Sequence, residues 1–493
     1  MIESNLPALQ VVLPMIAAPL CVLLRRGGLA WLIAWSATWS TAAISIAILL
    51  KVLDSGTISY TFGGWTPPWG IEYRVDAISA FVLVLVSVIG AIIVPYARRS
   101  IAVEIRSEQH YLFWTAYLLC LTGLLGVAIT GDAFNVFVFL EISSLATYIL
   151  IACGQDRRAL VASYQYLIMG TIGATFIVIG IGLLYLMTGT LNLVDMAQRL
   201  SDMPMHRPQL AALAFLTVGI SLKLALFPLH LWLPNAYAYA PSVSTAFLSA
   251  TATKVAVYLL LRFSFSVFGH SHVFENVSVE AVILSLSVAA MFVASTVAIF
   301  ENDVKRMFAY SSVAQIGYIT LGISLANQSG LTGGIVHMFN HAVTKGAIFM
   351  LLGCVALRIG QPLITDMAGL AKRMPLTAAG LVIGGLSLIG VPGTAGFVSK
   401  WYLVMGAIEL GWWWLAGLVL ASSMLAAVYV WRLVEICYFR EPSPKLDSVK
   451  EAPLSMLVPS WALIAACVYF GLDASTTAGT AAIAAQSLLE AAQ

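Results

Sequence analysis

The sequence predicts an all-α integral membrane protein of about fourteen transmembrane helices. Three observations carry that reading. Of 493 residues, 60% are hydrophobic and only 10% charged, whereas soluble domains carry about 25% charged residues. Mean hydropathy is +0.93. Apolar runs of about 20 residues, the length that crosses a bilayer, follow one another from end to end. A soluble fold could not cover itself with so few polar groups, and a bilayer asks for no such cover. The net charge of +2 says nothing about partners, and the charges matter only through where they fall; no nucleic-acid partner is expected.

The spans fall at roughly residues 6–24, 29–50, 76–97, 111–130, 132–153, 162–188, 209–229, 242–268, 277–300, 306–326, 332–358, 376–405, 412–438 and 454–472. Met1 to Pro7 has no basic stretch ahead of the first span, so a cleaved signal peptide is not expected. The longest interruptions, near 51–75 and 439–453, are rich in Pro, Gly or charge and read as membrane loops. A tight turn at Gly131 parts the fourth span from the fifth. The seventh and twelfth spans each carry a mid-span proline, Pro228 and Pro392. The eighth opens on Pro241, where a missing N–H is harmless. Residues 473–493 are alanine-rich and predict a short surface helix.

Loops after odd-numbered spans collect Arg25, Arg26, Arg98, Arg99, Arg157, Arg158, Lys305, Arg306, Lys372 and Arg373. Loops after even-numbered spans hold only Lys51, Arg74, Arg199, Arg207 and Arg262. By the positive-inside rule the odd loops are cytoplasmic, which places both termini on the outer side of a prokaryotic cell membrane. The prolines of the seventh and twelfth spans, and the similar small-residue patterns of the sixth and eleventh, suggest a five-helix repeat. An odd offset inverts the second copy in the membrane, as in many transporters. The expected units are helices one to three (1–110), a first repeat (111–268), a second repeat (277–438), and a last helix with its tail (439–493).

The chemistry lies in ionisable side chains inside these spans: Glu141, Lys223, Lys254, His337, His341 and Lys345, with Lys400 on the far half of the twelfth. Each charge at a helix centre costs at least about 2.5–3.5 kcal/mol on insertion scales, so a set of them should face one another or water. Any one could be a structural ion-pair member or could snorkel; the whole row is better explained as a path for ions. Pro228 clashes with the carbonyl of Leu224 and should loosen the helix beside Lys223. Glu141 is the natural partner for a neighbouring lysine, and Lys254 the next station. His337, His341 and Lys345 are spaced four apart and share one helix face. That spacing also suits a metal, but no glutamate follows the first histidine and no third ligand is apparent. A histidine face titrating near neutral pH reads as a proton relay. Pro392, Gly393 and Gly396 should unwind the twelfth span ahead of Lys400. Arg432 and Glu435 read as an interfacial pair. The six cysteines stand singly in apolar runs and read as small buried hydrophobes. No phosphate-binding loop, dinucleotide fingerprint or metal-cluster motif is present, so no cofactor and no metal are expected, and the driving energy must come from a gradient or a partner.

The stretch Lys223–Arg262, KLALFPLHLWLPNAYAYAPSVSTAFLSATATKVAVYLLLR, closely resembles the antiporter-like subunits shared by Mrp-type cation/proton antiporters, respiratory complex I and membrane-bound hydrogenases. The resemblance extends through FLEISSLATYILIA, DVKRMFAYSSVAQIGY, HMFNHAVTKGAIFMLLG and IGVPGTAGFVSKWYL, nearly the whole chain. It implies fourteen helices, two inverted five-helix repeats with broken seventh and twelfth helices, and a central hydrophilic axis. On the matching positions it implies a coupled pair Glu141–Lys223, a connecting Lys254, the eleventh-helix set His337, His341 and Lys345, and a terminal Lys400. Lysine at this last site resembles the D-type antiporter and N-type complex I subunits, where the M-type carries glutamate. The resemblance is nearest to the Mrp D type, with other membrane subunits as partners, H⁺ as cargo and Na⁺ as a second candidate ion. A subunit of a complex I-like or hydrogenase-linked oxidoreductase is the alternative; a stand-alone solute permease is the rival of another class.

Overall fold

The computed structural model describes residues 3–204, 206–269, 273 and 279–490. Positions 277 and 278, where the ninth span was expected to begin, lie outside the described residues. Polar residues at the heads of the apolar runs set where helices start. Asp76, Asp132, Asp156, Asn192, Asp303 and Asn327 each accept a backbone N–H two or three residues on, satisfying donors that the first turn leaves unpaired.

Helices α1 (Leu6–Leu24) and α2 (Gly27–Ser55) pair at one edge with apolar faces exposed, as lipid contact allows. A hairpin of β1 (Ile58–Thr61) and β2 (Glu72–Val75) follows, in register from Ile58–Val75 to Thr61–Glu72. The expected loop is therefore partly strand, and Phe62 braces it edge-on to Tyr60 and Tyr73 at 5.1 and 4.7 Å. Then come α3 (Ala77–Glu104), α4 (His110–Ile129), α5 (Ala133–Ala152), α6 (Arg157–Thr188) and a short amphipathic α7 (Leu193–Ser201). The seventh span is two pieces, α8 (Arg207–Leu224) and α9 (Trp232–Tyr239). The eighth is also interrupted, into α10 (Ser242–Ala250) and α11 (Ala252–Leu261), and ends in a π-helical turn, Arg262–Val267. Beyond it lie α12 (Val279–Phe300), α13 (Val304–Ser324), α14 (Gln328–Ile359), the single turn α15 (Leu370–Arg373), and the halves of the twelfth span, α16 (Pro375–Ile389) and α17 (Ala395–Glu409). The chain closes with α18 (Trp413–Val434), α19 (Leu454–Leu472) and α20 (Ser475–Glu490).

Among the described residues eleven helices are long and apolar enough to cross a membrane by themselves. The halves of the twelfth span, at 15 residues each, are too short alone. The tail helix α20 is less superficial than expected, because Ala478, Ala481, Ala484, Ala485 and Leu488 are buried against the bundle. The expected Arg432–Glu435 pair does not form. Arg432 instead donates to the carbonyls of Ile299 and Glu301 at the end of α12, at 2.6 and 2.8 Å, where a helix favours a cation. Glu435 takes Arg440 at 2.6 Å. All six cysteines are free, and all but Cys153 are buried.

The repeat leaves a mark in the backbone. Asp132, heading α5, forms an antiparallel bridge with Asn192, and Asp303, heading α13, forms one with Leu363. The separation along the chain is the same in both. In each, a helix and the long helix after it lie between the bridged residues, so one construction recurs in both halves. In α14, which belongs to the second half and also packs on α3 and α10 of the first part of the chain, every residue from Gly330 to Val355 except Phe339 is buried. Helices α10, α13, α16, α17 and α19 pack around it. This enclosed helix carries two histidines and a lysine.

The buried titratable axis

Helix α8 stops at Leu224, immediately after Lys223. Ala225 takes a left-handed conformation (φ 60°, ψ 41°), and the Leu222 carbonyl, which accepts the Ala225 N–H at 3.3 Å, also accepts from Trp232 Nε1 at 3.0 Å. Lys223 Nζ reaches across to α5, donating to Ser144 Oγ at 2.7 Å and to Glu141 Oε1 at 3.4 Å. The lysine side chain is 5% exposed and the carboxylate 24%. Ser144 sits one helical turn beyond Glu141, so a single face of α5 supplies both partners. A cavity of about 30 Å³ lies beside Lys223, lined also by Ser144, Thr147, Tyr166 and, from α11, Ala252 and Val255. That is room for a water, and it leads toward the helix of Lys254.

The break in the eighth span falls at Thr251 (φ −123°, ψ −57°). It frees the carbonyl of Ser249, which accepts from Lys254 Nζ; Thr253 Oγ1 is a second acceptor at 3.3 Å. Nothing in the sequence marks this break with proline or glycine. Its polar support comes from the lysine itself, folded back onto the open carbonyl.

On α14, His337 is held from both sides, Nδ1 2.8 Å from Ser399 Oγ and Nε2 2.9 Å from Gln315 Oε1. His341 lies one turn on, its ring 6.4 Å from that of His337 and nearly parallel. Both of its ring nitrogens are buried without a hydrogen-bond partner among the described residues. Lys345 Nζ donates to the Phe308 carbonyl and Ser311 Oγ, each at 2.8 Å, and Tyr429 donates to the same serine at 3.0 Å. The break in the twelfth span mirrors that of the eighth. Gly390 ends α16 at φ +89°, and the last carbonyls of that half-helix, Leu388 and Ile389, take Lys400 Nζ at 3.0 and 2.9 Å. Ser423 Oγ completes the site at 2.9 Å, and the Tyr318 ring lies 4.4 Å from the ammonium. A helix C-terminus carries partial negative charge, so the broken helix itself supports the cation. Ser399, beside Lys400 in sequence, ties that site to His337.

The structure thus joins Glu141 to Lys223 directly, and His337 to the Lys400 helix through Ser399. Lys254 shares no direct hydrogen bond with Lys223 or His341 among the described residues. Of the four lysines, only Lys223 has a carboxylate within 4.0 Å among the described residues. The other three rest on hydroxyls and backbone carbonyls. No cluster of three or more His, Cys, Asp or Glu that could hold a metal occurs among the described residues.

Residues 130–426 match the family described as "NADH:quinone oxidoreductase/Mrp antiporter, TM". The chain belongs to this family. All seven titratable residues named above fall inside the matched stretch. A relative from Desulforudis audaxviator (strain MP104C), named as the N subunit of an NADH-quinone oxidoreductase, is 39% identical over 95% of this chain and 96% of its own. Another from Alkalihalophilus pseudofirmus, named as the D-type subunit of a Na(+)/H(+) antiporter, is 28% identical over 96% of this chain and 94% of its own. Among solved structures, a chain of the archaeal membrane-bound sulfane sulfur reductase superposes with TM-score 0.90 at 31% identity, covering 99% of this chain and 98% of that one. A chain of the Mrp complex from Dietzia sp. DQ12-45-1b gives TM-score 0.88 at 25% identity, covering 99% and 100%.

For this member of the NADH:quinone oxidoreductase/Mrp antiporter family, sequence reasoning missed the neutral partners of the axis residues: Ser144, Gln315, Ser399 and Ser423. Ser144 and Ser399 were within reach of a spacing argument, being one turn from Glu141 and adjacent to Lys400. Gln315 and Ser423 come from other helices and left no local signal. Lys305, counted as a loop charge, is instead buried in the first turn of α13.

Proposed function

We propose that the chain is a proton-translocating subunit of a multisubunit monovalent cation/proton antiporter of the D type, moving H⁺ along Glu141, Lys223, Lys254, His337, His341, Lys345 and Lys400. The observation that carries the proposal is the set of buried lysines with neutral partners. An ammonium taken out of water costs several kcal/mol, and a structural role would match each with a carboxylate. Hydroxyls and carbonyls serve a protonated amine as acceptors, and hydroxyls also serve a neutral one as donors, so these sites suit groups that gain and lose a proton. The breaks beside Pro228 and Pro392 place polar backbone at the same depth. The first five-helix unit (111–268) brings Glu141, Lys223 and Lys254; the second (277–438) brings the histidine helix and Lys400. Both termini lie on the outer side of the membrane, as the distribution of Lys and Arg favours. The partners are other membrane subunits, as in the multisubunit assemblies of the structural relatives.

A second reading, a proton-pumping subunit of a redox-linked complex, is favoured by the 39%-identical relative named as an oxidoreductase subunit and by the likeness to the sulfane sulfur reductase. A solute permease finds no support at Lys223, where the cavity of about 30 Å³ has room for a water and not for an organic solute. Purification of the intact complex decides between the first two. Small antiporter subunits co-purifying support the first reading, and hydrophilic redox subunits the second. Lys223→Ala in the assembled complex tests the axis itself: full cation-dependent proton flux would overturn it.

A further inference from the structure

We infer that Glu104, Ser242 and Lys305 form a proton-loading site at the cytoplasmic mouth of the chain, feeding Lys345; the inference rests on the function and orientation proposed above. Three helix ends meet there: the last residue of α3, the first of α10 and the first turn of α13. Ser242 Oγ donates to Glu104 Oε1 at 2.6 Å and accepts from Lys305 Nζ at 2.9 Å. Ser242 N also donates to Glu104 Oε2 at 2.8 Å, and Ser100 Oγ does so at the same distance. A carboxylate and an ammonium are therefore joined through one hydroxyl rather than in contact.

The position is a poor one for a structural cation. Lys305 is 5% exposed and stands at the N-terminal end of a helix, where the dipole disfavours positive charge. It forms no ion pair within 4.0 Å among the described residues, and its hydrogen bond is to the serine. Yet it is not sealed off. Lys305 and Glu104 both line a cavity of about 240 Å³ between Gly154, Pro241 and Gln361, at the end of the bundle where the loops after the third, fifth, seventh and eleventh spans gather. The other charged or titratable groups around it are Asp156, Arg158, Tyr239 and Asp303 toward the cavity, and Tyr96 of α3 and Cys354 of α14 on the inner side. Arg158 is held by Asp156 and Gln361 and stacks on Tyr239, and Asp303 accepts from Gln361. Asp156, Arg158, Tyr239 and Asp303 are thus engaged with their neighbours, and Tyr96 and Cys354 are uncharged, which leaves Glu104 and Lys305 as the charged pair facing inward.

Two features connect the site to the axis. Lys305, Phe308 and Ser311 follow one another up α13, and the Phe308 carbonyl and Ser311 hydroxyl are the acceptors of Lys345. The Phe308 ring lies 5.2 Å from Lys345 Nζ, and Phe308 is one turn from Lys305 on the same helix. A proton from cytoplasmic water binds the Glu104 carboxylate. It passes through the Ser242 hydroxyl, which releases one O–H proton as it receives another, onto a Lys305 amine that has given its own proton inward toward Ser311 and Lys345.

Lys305→Arg tests this in inside-out membrane vesicles carrying the assembled complex, where the bathing buffer is the cytoplasmic side. Arginine keeps the charge and the donor to Ser242 but does not release a proton. The inference expects Lys305→Arg and Glu104→Gln each to lower initial proton uptake or release on that side by about tenfold or more, with subunit co-purification unchanged. It also expects the dependence on buffer pH to move while that on lumenal pH does not. Ser242→Ala, which leaves both charged groups in place, carries the test if Lys305→Arg does not assemble. A full rate in Lys305→Arg, or in Ser242→Ala if that variant carries the test, shows a structural site and overturns the inference. Lys223→Ala, measured alongside, separates the two levels. A normal rate there refutes the axis, whereas a blocked Lys223→Ala with a normal Lys305→Arg refutes only the loading site.

Discussion

A double-mutant cycle on Glu141 and Lys223 puts the axis to an energetic test. At the 3.4 Å separation of Lys223 Nζ and Glu141 Oε1, an effective dielectric of about 20 gives an attraction of about 5 kcal/mol. Two features of the site reduce what would be measured. The Glu141 side chain is 24% exposed, so the pair is not fully enclosed, and Ser144 still holds the ammonium at 2.7 Å when the glutamate is gone. A net coupling of about 2 kcal/mol is expected. Glu141→Gln leaves a buried ammonium with only a hydroxyl for support, and Lys223→Met leaves a carboxylate facing an apolar side chain. Each single change should therefore destabilise more than its share of the double variant, which buries no charge at this point. The assay is denaturant or thermal unfolding of the purified complex in detergent, with subunit composition checked for every variant. Alongside it, cation-dependent proton flux should fall about tenfold or more in both single variants and should not return in the double, because stability and proton transfer ask different things of the pair. Single effects that add within about 0.5 kcal/mol, together with undiminished flux, would show that the contact is incidental and that protons travel elsewhere.

Three further outcomes follow from the geometry. Ser399→Ala removes the 2.8 Å partner of His337 Nδ1 and should slow flux about fivefold, the equivalent of one hydrogen bond of about 1 kcal/mol; unchanged flux would detach Ser399 from the path. A Cβ at Gly396 would stand 1.8 Å from the Ser387 carbonyl, whereas one at Gly417 would meet nothing within 4 Å. Gly396→Ala should cost about 2–3 kcal/mol and Gly417→Ala nothing measurable or a slight gain, read by unfolding in detergent. Arg262 holds Asp76 by two hydrogen bonds of 2.7 and 2.8 Å. Arg262→Ala should therefore destabilise by about 3 kcal/mol, with much of the loss recovered when Asp76→Asn is added; equal losses in the single and double variants would refute the pairing.

The sequence by itself determined the membrane fold class, the two proline breaks and which ionisable side chains lie inside apolar spans. These are decided locally. Apolar length sets a span, proline denies a donor, and a charge inside an apolar run is visible without knowing its neighbours. Depth alone asked only that Glu141 find a neighbouring lysine; the family resemblance named Lys223, and the structure brings the two to 3.4 Å. What only the tertiary structure decided is who serves the other lysines and where the second kind of break falls. Ser311 and Gln315 reach Lys345 and His337 from the preceding helix α13, and Ser423 reaches Lys400 from the following helix α18; a lone serine or glutamine in a span carries no mark of its partner. The break at Thr251 has no proline or glycine, so propensity gave no warning of it; it shows only when Lys254 is seen on the Ser249 carbonyl. Lys305 shows the same limit from the other side. Its place at a helix start, among loop charges, read as orientation, and packing of three helix ends made it a buried amine. Composition and periodicity report what one segment offers. Which offers are met depends on which helices come to lie side by side.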